Sequence, residues 1–117
     1  MTRSGGRMRR VDEVMREVIA GVLAGDLADP RLGFVTVTEV RTSPDLRHAR
    51  VFVSVLGTDE ERTLTLEGLA SAAGLIQARI AAEMTLKRTP ALAFEIDETA
   101  DRAERLEELI AEQEPRP

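Results

Sequence analysis

Residues 34–56 read FVTVTEVRTSPDLRHARVFVSVL. Early in this stretch Val35 and Val37 alternate with Thr36 and Thr38. Late in it Ala49, Val51, Val53 and Val55 alternate with Arg50, Phe52 and Ser54. A period of two in β-branched residues predicts strands over 34–40 and 49–56. Thr42-Ser43-Pro44-Asp45 lies between them and is turn chemistry, so an antiparallel hairpin is expected. Upstream, Val11, Val14, Met15, Val18, Ile19, Val22 and Leu23 recur at helical spacing, which predicts a helix with one buried stripe from Met8. Gly25 is its stop signal, and Asp29-Pro30-Arg31 is a loop.

Downstream, Gly57 ends the second strand, and Thr58 with Glu61 fits a capping box. A helical stretch then runs to about Leu86, with Leu66, Leu69, Ala73, Ile76, Ile80 and Met84 as its stripe. Glycine inside a helix costs about 1 kcal/mol relative to alanine, so Ala72-Ala73-Gly74 is expected to bend or break it. Thr89-Pro90 closes the stretch, and Leu92, Phe94 and Ile96 alternate as a third strand. A helical crossover favours parallel pairing of strands two and three, giving a mixed sheet. Thr99 can cap a short C-terminal helix with Leu106, Leu109 and Ile110 on one side; Glu98–Arg102 and Asp101–Arg105 are supporting pairs in it. The expected fold is α+β, in the order α-β-β-α(kink)α-β. It has a three-stranded mixed sheet, helices on one face, and a short acidic C-terminal helix.

The chain has 117 residues, enough for one domain. With 43% hydrophobic and 32% charged residues it is globular in composition. Residues 1–6 read as a flexible basic arm, 7–97 as the folded domain, and 98–117 as an acidic helix and tail. No apolar run approaches the ~20 residues of a membrane span, and no secretory signal is visible. Cysteine is absent, which excludes disulfides, thiolate nucleophiles and sulfur-ligated zinc. A cytoplasmic monomer without cofactor or metal is expected.

The net charge of −5 is unevenly spread. Residues 1–94 hold 13 basic and 12 acidic residues, and residues 95–117 hold 3 and 9. Within the neutral body the cations cluster. Arg3, Arg7, Arg9 and Arg10 lie together with no acid in residues 1–11; Arg41, Arg47 and Arg50 surround the hairpin turn; Lys87 and Arg88 form a third group.

No nucleophile elbow, phosphate loop or dinucleotide fingerprint is present. His48, the single histidine, reads as a turn or surface residue. The acids Asp59-Glu60-Glu61 suit the positive start of the helix that follows them. No active-site constellation emerges, so the protein is not expected to be an enzyme. Phe34, Phe52 and Phe94 are expected in the core, which leaves few aromatics to stack on bases. What remains is a backbone-and-charge mode of nucleic-acid binding. A broken helix presents free amides at the start of its second half, and small residues let a phosphate chain come close. The same small residues could instead serve close helix packing.

In this order and spacing the residues resemble the ribosome-binding factor A family. The likeness runs from about Arg7 to Ile110. It is carried by Asp29-Pro30-Arg31-Leu32, residues 35–40 (VTVTEV), Ser43-Pro44-Asp45-Leu46 and residues 49–57 (ARVFVSVLG). Further matches are Ala72-Ala73-Gly74-Leu75-Ile76, residues 86–94 (LKRTPALAF) and Asp97. The resemblance implies a KH type II-like fold in which an Ala-x-Gly kink, here Ala72, Ala73 and Gly74, replaces the usual loop. It also implies binding to the immature small ribosomal subunit and its rRNA, and a role in late rRNA processing and in cold adaptation. Ribosomal proteins and an assembly GTPase are further implied partners. Gln77 stands where the family often has arginine, with Arg79 nearby, and Ala103 stands where it often has glycine.

The residues expected to touch RNA are therefore Ala72, Ala73, Gly74, Gln77, Arg79, Lys87, Arg88, Arg7, Arg9, Arg10, Arg41, Arg47 and Arg50. The competing reading is a protein–protein adapter working through Glu104, Glu107, Glu108 and Glu112.

Overall fold

The computed structural model describes residues 6–25, 30–99, 106–107 and 109–111. The elements are α1 (Gly6–Gly25), β1 (Val35–Thr42), β2 (His48–Val55), α2 (Asp59–Ser71), α3 (Ala73–Glu83) and β3 (Ala91–Ile96). This is the expected order. β2 is the central strand, antiparallel to β1 and parallel to β3.

The core lies where the alternation placed it. Met15, Ile19 and Val22 of α1, Leu69 of α2, and Ile76 and Ile80 of α3 are buried against Val37, Val40, Ala49, Val51, Val53 and Val55 of the sheet. Truncating a fully buried residue such as Ile76 to alanine costs about 2–5 kcal/mol. Leu92, Phe94 and Ile96 of β3 pack half-buried on the same side. The opposite sheet face carries Glu39, Arg41, Arg50, Phe52 and Glu95.

β1 contains a bulge within its alternating run. Val37 faces Val53 and Glu39 faces Phe52, which leaves Thr38 as the extra residue. The inward phase therefore shifts from Val37 to Val40 and Thr42. The capping box is present: Glu61 N–H donates to Thr58 Oγ1 at 3.1 Å and Thr58 N–H donates to Glu61 Oε1 at 2.9 Å.

The long helical stretch is broken within Ala72-Ala73-Gly74, as expected, and the break falls at Ala72. Ala72 ends α2 and begins α3, and Gly74 lies within the first turn of α3. The helix stops at Glu83 and not at Leu86, because Met84 turns to an extended conformation. The expectation that all three phenylalanines fill the core is overturned. Phe34 is 81% exposed, just ahead of β1. Phe52 is out of phase with Val51 and Val53 and so sits on the open face. Only Phe94 faces the helices. The supporting pairs drawn for the C-terminal helix fall on residues 101, 102 and 105, outside the described residues.

Candidate nucleic-acid interface

Three separate elements carry the cationic residues of one end of the molecule, and hydrogen bonds tie those elements together. Asp12 of α1 accepts from Thr42 N–H at 2.9 Å, fixing the helix against the end of β1. The Ala91 amide donates to Arg47 O at 2.9 Å, fixing the α3–β3 loop against the hairpin turn. Gln77 Nε2 donates to Pro90 O at 2.8 Å, fixing that loop to α3. A cleft results. Arg7, Met8 and Val11 line one side, Pro44, Asp45 and Leu46 a second, and Thr85 to Arg88 the third. A shallower neighbouring cleft adds Arg10 and Glu83.

The turn at this cleft is held in an uncommon shape. Leu46 has φ +61°, the left-handed region that side chains other than glycine and asparagine seldom occupy. Asp45 holds it there by accepting from the Ser43 hydroxyl at 2.7 Å and from the Arg47 amide at 3.1 Å. Those bonds, the Ser43 hydroxyl foremost, keep the Asp45 carboxyl below the usual aspartate range. Sequence reading did not single out Leu46. The Asp-Leu pair in the turn was visible, but its backbone angle was not.

The expected site residues separate into groups. Arg7, Arg9, Arg10, Lys87 and Arg88 form no ion pair among the described residues. All five are exposed. Arg41, Arg47 and Arg50 are each occupied by an acid. Arg41 is paired with Glu39, and Arg47 Nε lies 3.6 Å from Asp45. Arg50 grips Glu95 with two bonds, Nε to Oε2 at 2.7 Å and Nη2 to Oε1 at 2.8 Å. The hydrogen bonding, reinforced by charge, raises the Arg50 pKa and lowers that of Glu95. Arg41 and Arg50 also lie 5.9 and 5.0 Å from the Phe52 ring centroid, within cation–π range. Arg79 pairs with Glu83 at 2.8 Å. Gln77, expected on RNA, gives its amide to Pro90 and acts as a brace.

At the helix break the geometry is different. The first bond that closes α3 runs from Ile76 N–H to Ala72 O at 3.0 Å. The amides of Ala73, Gly74 and Leu75 are the N-terminal donors that a helix leaves without an intrahelical partner. Gly74 is exposed, and a Cβ built there meets nothing within 4 Å. Its backbone is not in the left-handed region either. Neither space nor conformation requires glycine at this position. An α-helix rises 1.5 Å per residue, so the 11 residues of α3 set the break about 16 Å from the cationic cleft at its other end.

His48 is exposed at the start of β2, in keeping with a turn residue. No group of three or more metal-ligating side chains occurs among the described residues. No described helix is long and apolar enough to cross a membrane.

The family model of Ribosome-binding factor A matches residues 7–110. Ribosome-binding factor A of Thermomicrobium roseum is 45% identical over 104 residues, covering 89% of this chain and 81% of that protein. Its Geobacter metallireducens counterpart is 40% identical over 106 residues, covering 91% and 90%. Among solved structures, the solution structure of a Thermotoga maritima ribosome binding factor A superposes with a TM-score of 0.71 at 35% identity, covering 81% of this chain and 91% of that one. A homology model of Thermus thermophilus ribosome binding factor A, as fitted into a cryo-EM map of a 30S–RbfA complex, superposes at 0.60 with 28% identity, covering 75% and 92%. Sequence match along nearly the whole chain and superposition on the solved relatives lead to one conclusion: the chain belongs to the ribosome-binding factor A family.

Proposed function

We propose that this protein binds the immature small ribosomal subunit through its rRNA and assists late rRNA processing and subunit maturation. It acts by binding and not by catalysis, as a cytoplasmic monomer. The observation that carries this reading is the cationic cleft. Arg7 of α1 and Lys87 and Arg88 of the α3–β3 loop meet there without acidic partners among the described residues. Phosphate contacts supply most of the affinity of a protein for a nucleic-acid backbone. Cations already committed to carboxylates contribute little to it.

The amides at 73–75 extend the surface along α3. They favour an anion through the helix dipole, and Gly74 leaves them uncovered. The choice of the small subunit is supported by the relative fitted into a 30S complex. The domain of residues 7–97 is the binding unit in this reading, and the acidic segment beyond it limits promiscuous binding by repulsion.

The test is sedimentation with ribosomal particles across a salt series. The protein should co-migrate with free small subunits in preference to whole ribosomes. Binding to rRNA should weaken with salt, at a log–log slope of roughly −0.7 to −0.9 per phosphate neutralised. A flat salt response, or equal association with whole ribosomes, would overturn the reading.

A further inference from the structure

The end of the sheet away from the cationic cleft carries an apolar pair that the fold does not use. Phe34 is 81% exposed and Leu56 is 75% exposed. They stand opposite each other, for the Leu56 amide donates to Phe34 O at 3.1 Å and extends the pairing of Val35 with Val55. Directly opposed residues of an antiparallel pair project to the same face. Val35 and Val55 project inward, so Phe34 and Leu56 project outward beside Thr36 and Ser54. Isolated exposed apolar side chains need no explanation, but an adjoining phenylalanine and leucine make a patch.

On the α2 side the patch is bordered by acids, while Arg62 turns inward and donates its Nε–H to the Val55 carbonyl at 3.3 Å. Three residues after Leu56, α2 begins with Asp59, Glu60 and Glu61. Glu61 is spent on the capping box. Asp59 and Glu60 are exposed, and neither forms an ion pair among the described residues. They also line a shallow groove with Thr63 and the half-exposed Leu64. Unpaired carboxylates beside exposed carbon repel a phosphate backbone and attract lysine and arginine. This border is thus the converse of the cationic cleft.

We propose that Phe34 and Leu56, with Asp59 and Glu60 at their edge, form a docking surface for a basic protein that carries an exposed apolar side chain. The inference rests on the reading that the cationic end engages a ribonucleoprotein particle. It adds that the particle is held at two places by two kinds of partner, rRNA at one end and a cationic protein at the other. A second copy of this chain is the poorer occupant. Its own cationic cleft could receive the patch only head to tail, which builds rings or open chains and covers the surface for RNA.

The test compares two binding targets for the full chain: small-subunit rRNA stripped of protein, and the immature subunit. Phe34→Ser with Leu56→Ser should leave affinity for bare rRNA within twofold of wild type and weaken subunit binding about tenfold. Asp59→Lys with Glu60→Lys should weaken subunit binding as well, while bare rRNA binds at least as tightly as before. All four side chains are exposed, and a single cooperative melting transition verifies that the variants fold, with the two lysines at the start of α2 lowering the midpoint by a few degrees. A photo-crosslinking phenylalanine analogue at position 34, in the bound subunit, should capture a basic protein. Unchanged subunit binding by both variants would overturn the inference, as would crosslinks to rRNA or to a second copy. If the wild-type chain fails to bind the subunit, the functional reading falls and this inference with it. If the wild type binds and the variants match it, only the inference falls.

Discussion

Two sets of cationic side chains differ in a way their sequence positions do not reveal. Arg41, Arg47 and Arg50 gather around one hairpin, and Arg7, Lys87 and Arg88 come from opposite ends of the folded domain. In the structure the hairpin set is answered by Glu39, Asp45 and Glu95. The dispersed set meets at one cleft with no ion pair among the described residues. Closeness in sequence thus produced a neutral surface, and convergence in space produced the cationic one. A basic cluster becomes an electrostatic site only where its charges are not already paired with carboxylates, and the one acid among the described residues of this cleft wall, Asp45, is engaged by Arg47 and Ser43.

The largest effect should come from attacking the cleft. Replacing Arg7, Lys87 and Arg88 together with alanine should weaken rRNA binding about a hundredfold at low salt and reduce the steepness of the salt dependence by about 2 to 3. Titration with labelled rRNA at several salt concentrations measures both. An unchanged slope would mean that these cations do not meet phosphates.

Next in size is the converse experiment. Glu39→Gln with Glu95→Gln should release Arg41 and Arg50, raising non-specific RNA affinity several-fold and retention on a polyanion column. The partner variant, Arg41→Ala with Arg50→Ala, should leave rRNA affinity within twofold, since exposed ion pairs contribute only about 0–1 kcal/mol and hold these arginines only for the sheet. A large loss of binding in the second variant would erase the contrast between the two sets.

Gly74 sharpens the comparison from the backbone side. Gly74→Ala should raise stability by about 0.5–1 kcal/mol, because the added methyl meets open space and alanine favours the helix. Thermal melting would register a rise of a few degrees. The same change should weaken rRNA binding several-fold by covering the amides at the start of α3. Stability gained without any loss of binding would remove the helix break from the interface.

The smallest effect concerns Thr38, the bulge residue. Its hydroxyl donates to Asp97 Oδ2 at 2.6 Å and, together with the Thr99 amide, holds that carboxyl below the usual aspartate range. A depressed carboxylate stabilises the fold above its unfolded pKa of about 3.9, and that contribution is lost as pH falls through the folded value. Thr38→Val should therefore be less stable than wild type at neutral pH, with the gap narrowing in acid. Denaturant midpoints at neutral and acidic pH, with the Asp97 carboxyl followed by NMR, measure it.

Most of the architecture was legible because it follows from periodicity. The stripe of α1, the two hairpin strands, the capping box at Thr58 and the alternation of Leu92, Phe94 and Ile96 all state which side is inward. The bulge left a trace too: Val35 and Val37 are followed by Val40, a step of three where a regular strand steps by two. Phe34 and Phe52 shared the phase of Thr36 and Arg50, so their outward position could have been read from the pattern that buried the valines.

The site was less legible because it depends on distant pairs. Arg50 meets Glu95 only because β2 and β3 run parallel in one register, and Arg7 approaches Lys87 only because Asp12 and Gln77 pin their elements. Local sequence fixes neither distance. The helix break was legible in the small-residue run Ala72-Ala73-Gly74, although the chain turns at its first alanine and not at its glycine.

The parallel register of β3 on β2 has a consequence for the chain during synthesis. β2 pairs with β1 as soon as the hairpin closes, but its other edge waits for residues 91–96, which follow two helices. Until they arrive, the central strand presents unpaired amides and carbonyls to any extended peptide nearby. Completion depends on a long-range contact, which is slow to form and leaves partly made chains prone to aggregation. A chain lacking the residues from Ala91 on is thus a sheet with an open seam, and the docking of 91–96 on β2 is what seals it.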